Sequence, residues 1–445
     1  MIDQERIEQL QAYEARAIIE ALRKGSVPME YVSLFTVGRQ NWLKFIEDDL
    51  DHYIAEGGAK VRFINGDYGD GKTHFMSVVR HMAMQKGFAV SYVVLTRDVP
   101  MHKFEVVYRE IIKGLQMPEG FPQARVAGVQ GTGIRGLLSA WIRGLALERE
   151  PEGAASQEEK VDALADELRS LAGMDPNFAN GLVGLLKACC TSPAQERRPE
   201  EGGTDAREVL FQWFEGGKVG KKDLKPFQIF ESLNKTNSKR FLQSLLVFLK
   251  YLGYRGLVLL LDELETVIAH SASVRNAAYE NVRLLIDNTE QARYLHIFFS
   301  IIPDLILSEK GLKSYDALWS RVRSMGEGKS LNYRSILIDL HRTPLTVQEM
   351  IELGLALRRI HEISYRWQAS ERINEKLLEE ICATQKQMGL LSEVRLFIKQ
   401  VVRILDMAEQ GMPVDEELDL TEQILAGRRE LEQEKLEQLQ PRWDS

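Results

Sequence analysis

Apolar residues recur every third or fourth position near the start of the chain. Ile7, Leu10, Ala15, Ile18, Ile19 and Leu22 fall roughly on one face, which predicts a helix over residues 1–25. Gly25-Ser26-Val27-Pro28 breaks it, and a second helix is predicted from about Gln40 to Glu56, stopped by Gly57-Gly58. The period then changes. Val61 to Asn65 reads as a short apolar strand, and Phe88–Thr96, rich in β-branched and aromatic residues, as another. Gly256–Leu261 is apolar on both faces, as expected of a central strand in a parallel sheet covered on both sides, and Leu295–Ile302 reads as another buried strand. Ser335–Leu340 is a shorter strand, and Phe104–Leu115, Phe241–Leu252 and Val274–Asn288 read as helices. Strands alternating with helices predict a three-layer α/β fold with a parallel sheet. After Thr343-Pro344-Leu345-Thr346 only helical spacing remains, over about 347–363, 370–386 and 391–408.

Two stretches depart from this rhythm. From about 118 to 226, the Gly-rich GVQGTGIRG, the acidic EREPEGAASQEEK and the polar SPAQERRPEEGGTD alternate with short helical pieces, which predicts a helical insertion. From Asp415 the tail is charged, with Leu420, Ile424 and Leu431 at helical spacing; the apolar repeat then lapses, so a solvated or partner-packing helix is expected rather than a coiled coil. The expected organisation is N-terminal helices over 1–57, an α/β domain over 58–342 carrying the insertion, a helical lid over 343–412, and a helical tail over 413–445.

Composition adds little beyond exclusions. The chain has 445 residues and a net charge of −8, so its overall charge does not favour nucleic acid. Its three cysteines form no C-x-x-C pair, which indicates neither zinc nor a disulfide framework and suits a reduced, cytoplasmic setting. The acidic, amphipathic first residues do not read as a signal peptide. No apolar run reaches the roughly 18 residues a membrane helix needs.

The chemistry begins where the first strand ends. Gly66-Asp67-Tyr68-Gly69-Asp70-Gly71-Lys72-Thr73, followed by His74 and a helical pattern, is the phosphate-binding loop in strand–loop–helix context. Gly66, Gly69 and Gly71 let the backbone turn tightly and present N–H groups to phosphate oxygens. Lys72 supplies a cation to the β- and γ-phosphates, and Thr73 a hydroxyl to Mg²⁺. The expected ligands are therefore ATP and Mg²⁺. Strand Gly256–Leu261 runs into Asp262-Glu263-Leu264-Glu265. An acid at the end of a buried strand beside such a loop can hold Mg²⁺, and the next can activate water. Asp262 is assigned to Mg²⁺ and Glu263 to water; Glu265 is either a third acid at the site or, the expected reading, a solvated helix-start charge.

A phosphate loop, Asp-Glu after a later apolar strand, a further strand and a helical lid together resemble the AAA+ ATPases. More narrowly, Thr36-Val37-Gly38-Arg39, GGAKVRFINGDYGDGKTHF, Asp262-Glu263-Leu264-Glu265 and Leu391-Ser392-Glu393-Val394-Arg395 resemble the ATP-binding proteins of bacterial phage-exclusion (BREX) loci of the BrxD type, similar to the origin-recognition and helicase-loader branch. The resemblance implies Arg39 near the nucleotide base, Ser300 as a polar sensor, and Arg395 as a lid arginine at the γ-phosphate. It also implies Arg321, or else Arg323, as an arginine finger given to a neighbouring subunit. It implies an ATPase that assembles with itself and acts on DNA or on a DNA-processing partner such as a helicase. The rival readings are an ATP-bound signalling switch that rarely hydrolyses and a small-molecule phosphoryl transferase. One local charge feature bears on DNA: Lys218 to Arg255 holds nine basic residues against Asp223 and Glu231.

Overall fold

The structure, a computed structural model, describes residues 2–119, 132–147, 157–190, 205–287, 292–323, 331–369, 373–390, 393–412 and 420–439. Most of the three polar loops expected in the insertion, Leu391, Ser392 and the start of the tail at Asp415 lie outside them.

The fold is mixed α/β around a six-stranded sheet. Its strands are β1 (Ala59–Asn65), β2 (Ala89–Val94), β3 (Leu115–Gln116), β4 (Leu257–Asp262), β5 (Leu295–Ile301) and β6 (Leu337–Asp339). They lie in the order β3-β2-β4-β5-β1-β6, and only the β2–β3 pair is antiparallel. Every residue of β4 and β5 is buried, as expected of predominantly apolar central strands. Register aligns the carboxyl ends: Val94 lies opposite Asp262, and Ile64 opposite Ser300. The phosphate loop, Asp262 and Ser300 therefore emerge at one edge of the sheet.

Alternation along the strands divides the core in two. Ile64, Val90, Val258, Leu260 and Phe298 face helices Gln40–Asp49 and Lys72–Gln85. Val61, Phe63, Leu257, Leu259 and Phe299 face the other way, toward helices Phe104–Lys113 and Ser238–Tyr251. The same cluster continues into the insertion through Trp141, Phe178, Leu182 and Trp213, on helices Gly133–Leu147, Pro176–Cys190 and Ala206–Phe214.

A separate cluster holds the lid helices Val347–Tyr365, Glu375–Gln387 and Val394–Glu409. Helix Ala12–Arg23 belongs to it, burying Ala15, Ile18, Ile19 and Leu22 there. Residues 1–57 are thus divided: those up to Phe35 pack with the lid, and those from Trp42 with the sheet. Each large apolar side chain buried in this way contributes roughly 1.5–3 kcal/mol, more than the surface pair Arg359–Glu8 can supply. The N-terminal helix and the lid therefore hold together chiefly by packing. The tail helix Leu420–Leu439 also docks on this unit, with Ile424 buried against Leu390 and Leu396.

Candidate functional site

A cavity of about 260 Å³ opens where the sheet's carboxyl edge meets the lid. It is lined by the loop Asp67–His74, by Arg39, Asp262, Glu263 and Glu265, and by Arg395 from the lid. Its apolar end is formed by Leu22, Val27, Phe35, Val37, Leu345 and Ile398.

The loop is shaped by backbone that only glycine adopts easily. Gly69 and Gly71 have φ of +93° and +87°, and Gly71 caps the helix that begins at Lys72. Asp70 turns back to accept the Asp67 N–H at 2.7 Å, and burial raises its carboxyl above the usual range. His341, just after β6, places one ring nitrogen 3.4 Å from Asp67 and the other 3.4 Å from Asp70. Lys72 is buried, and its ammonium donates to the Gly66 and Asp67 carbonyls at 2.9 and 3.1 Å, above the Tyr68 ring. Burial holds Lys72 below the ordinary lysine range, against the pull of Glu265, Asp262, Asp70 and Asp67. The phenol of Tyr68 is pushed up to about 12 by burial and by the neighbouring acids.

Asp262 is held by four donors. Its Oδ2 accepts the Thr73 hydroxyl at 2.9 Å and the Tyr92 hydroxyl at 2.5 Å. Its Oδ1 accepts the Ser300 hydroxyl and, at 3.0 Å, the Glu263 N–H. The Ser300 oxygen also accepts that N–H, at 2.8 Å. Ser300 therefore lies beneath Asp262, outside the cavity wall. Glu263 has φ of +62°, a left-handed turn that takes the chain off β4 at a cost of about 1 kcal/mol or more. Burial, then the charge of Asp262, raises its carboxyl.

Glu265 corrects an expectation. It sits in the short helix Leu264–Ala269 and is 8% exposed rather than solvated. Both carboxyl oxygens are buried without a hydrogen-bond partner, and burial raises the group to about 7. The helical turn returns it to the cavity, which composition alone does not show. Tyr92 is a residue that the sequence did not flag; its hydroxyl near the end of β2 was the available signal.

Arg39 also has left-handed backbone, at φ +57°. It donates to the Asp70 carbonyl at 2.6 Å, and burial lowers it to about 10. His74 bonds the Thr36 hydroxyl at 3.0 Å, and Thr36 in turn donates to the Val32 carbonyl. Nε2 of His74 is therefore the protonated nitrogen. Burial, then the charge of Arg39, pushes the ring down to about 4, so it is neutral. The Arg395 N–H donates to the Gly69 carbonyl at 3.3 Å, tying lid to loop, and a side chain at Gly25 would collide with the Arg395 guanidinium.

Arg321 and Arg323 do not line the cavity. Arg321 pairs with Asp287 and bonds the Ala317 carbonyl, and Arg323 is exposed at the end of helix Asp316–Val322. Among the described residues, no helix is long and apolar enough to cross a membrane. The family model described as "BREX system ATP-binding protein BrxC/D" matches residues 10–423. No curated protein matches the chain, and no solved structure does.

Proposed function

The chain belongs to the BREX system ATP-binding BrxC/D family, and from that premise we propose that it is an AAA+ ATPase that hydrolyses ATP and acts on DNA or a DNA-processing partner in phage defence. The observation that carries this reading is the pairing of Thr73 with Asp262 in a cavity that Glu263 also lines. The residues fit the nucleotide and metal. The N–H groups of the Gly69–Thr73 turn and the Lys72 ammonium suit a triphosphate. Lys72 already rests on two carbonyls, which a phosphate oxygen can replace. The apolar end around Val27 and Ile398 suits a base. Thr73 and Asp262 would hold Mg²⁺, which when bound neutralises charge on the phosphates.

Tyr92 and Ser300 fix the Asp262 carboxylate, so it need not reorganise. Glu263 takes a proton from the attacking water; desolvation at the site and the charge of Asp262 raise its basicity. Arg395, bonded to the loop through its backbone, links nucleotide state to the lid. Arg321 lies outside its own chain's cavity, which supports supply of a finger to a neighbour in a self-assembled particle. Loading or regulating a helicase is the expected outcome of that cycle.

Glu263→Gln tests the reading. The variant is expected to bind ATP normally and release phosphate roughly 10²–10⁴-fold more slowly. A wild-type chain that binds ATP but releases no phosphate, with or without DNA, would instead be the ATP-held signalling switch.

A further inference from the structure

Within residues 218–235, Glu231 is occupied and the lysines are not. Glu231 accepts from Arg240 at 2.9 Å and from Asn237 at 3.1 Å. Nearby, Glu208 and Glu215 both bind Arg135. By contrast, Lys218, Lys221, Lys222, Lys225 and Lys235 are all exposed, and none makes an ion pair or side-chain hydrogen bond among the described residues. Asp223 and Glu231 stand among them as exposed acids, and Glu231 is already paired. The stretch is compact: Gly216 packs against Leu233, which brings the Lys218 and Lys235 segments side by side.

Phe230 stands in the same stretch and is 72% exposed. It is not a loose residue. Leu224 and Ile229 are buried on the near side, and the Ile229 N–H donates to the Leu224 carbonyl at 3.3 Å. The Phe230 N–H donates to Asn177 at 2.8 Å, and Asn180 donates to the Gln228 carbonyl at 3.0 Å. Trp213 donates to the Glu231 carbonyl at 3.0 Å. Four bonds therefore fix the backbone that carries this exposed aromatic ring, in the segment that holds the unpaired lysines.

We propose that residues 218–235 form a single-stranded nucleic-acid platform, on which the lysines hold the phosphate backbone and Phe230 stacks a base. The proposal deepens the DNA-directed reading above and rests on it. Free lysines give affinity through counterion release, without sequence preference. A fixed, exposed ring suits a strand whose bases are unstacked; a duplex keeps its base faces covered. An acidic protein would satisfy the lysines but has no particular need of the ring.

The test is fluorescence anisotropy of labelled oligo(dT) and of a duplex of equal length across a potassium chloride series. Binding of a fluorescent ATP analogue is measured in parallel on the same full-length proteins. Replacing Lys218, Lys221, Lys222 and Lys225 with Glu is expected to weaken oligo(dT) binding at least a hundredfold and to flatten the salt slope. Phe230→Ala is expected to weaken oligo(dT) roughly 5- to 100-fold, leaving duplex affinity and the salt slope unchanged. Phe230→Leu should retain the loss, since it keeps apolar bulk without the ring. No oligo(dT) binding by the wild type at low salt overturns the platform, as does equal loss of duplex and single strand in Phe230→Ala. A wild type that binds the strand but not the ATP analogue overturns the ATPase reading and leaves the platform standing.

Discussion

At the phosphate loop the cations are held by the protein and one acid is left over; along residues 218–235 Glu231 is held and the lysines are left over. Lys72 rests on Gly66 and Asp67, and Arg39 on Asp70, while the Glu265 oxygens have no partner. On the insertion, Glu231 is tied to Arg240 while Lys218, Lys221, Lys222 and Lys225 face water. The difference concerns preorganisation. A cation parked on a carbonyl is already placed and desolvated, so a small, defined anion gains most from it. Solvated lysines on short helical turns suit a long polyanion of variable path, held by number rather than by geometry.

Arg321 belongs to neither pattern, because its partner is a carboxylate, Asp287, in its own chain. If it serves a neighbour's site, it must leave that pair when subunits meet. Arg321→Ala is expected to leave ATP binding intact and to slow hydrolysis by roughly 10³–10⁵ in the assembled state. Mixing it with Glu263→Gln sharpens the point. A site with an intact Glu263 can then be completed by Arg321 from its neighbour, so activity should return. Mixed assemblies, confirmed by mass, that stay inactive would remove Arg321 from any shared site.

Lys72→Ala attacks the preorganised side directly. Without the cation the phosphates face buried carbonyls and acids, and ATP binding should weaken by roughly 3–5 kcal/mol. Oligo(dT) affinity without ATP should not move, since the lysines of residues 218–235 are a separate set. Calorimetry with ATP and anisotropy with the oligonucleotide check both halves. Micromolar ATP affinity in this variant would show that Lys72 is not the phosphate cation.

Much of this contrast was legible in the chain, for identifiable reasons. β4 and β5 could be read because burial on both faces leaves long apolar runs, interrupted inside them only by His296 and Ser300 of β5. The phosphate loop could be read because its chemistry is local: the eight consecutive residues from Gly66 to Thr73 do the work. Errors arose where a local bond or a distant contact decides. The helix expected over residues 1–25 is two, Gln4–Glu8 and Ala12–Arg23, because Gln11 and Glu14 form a capping box that starts the second afresh. The strand expected to reach Thr96 ends at Val94, because Thr96 accepts the N–H groups of Asp98 and Val99 in a turn. Tyr92 reaches Asp262 only because β2 and β4 are paired, which no spacing in the sequence states. Glu265 and Asp223 are both acids in short polar stretches, yet one is buried at the site and the other exposed.

That last pair leads to the smallest expected effect, on stability rather than catalysis. Burial raises Glu265 to about 7 from an ordinary value of 4.5. The folded chain therefore holds the proton more tightly than the unfolded one between those values. Any stability this group retains is full below about pH 4.5 and is lost as pH rises through about 7. Above that, an ionised carboxylate without a partner destabilises the apo fold by on the order of 3 kcal/mol. Glu265→Gln keeps the shape and removes the charge. It should stabilise the nucleotide-free protein at pH 8 and change little at pH 5, as read by urea unfolding of both proteins at both pH values. Equal effects at the two pH values would mean that Glu265 is solvated or paired, and the acid left over at the phosphate loop would no longer distinguish it from the insertion. A pH-dependent gain would instead identify a carboxylate that the fold keeps at a cost, which is intelligible only if a bound ligand or its water supplies the missing donors.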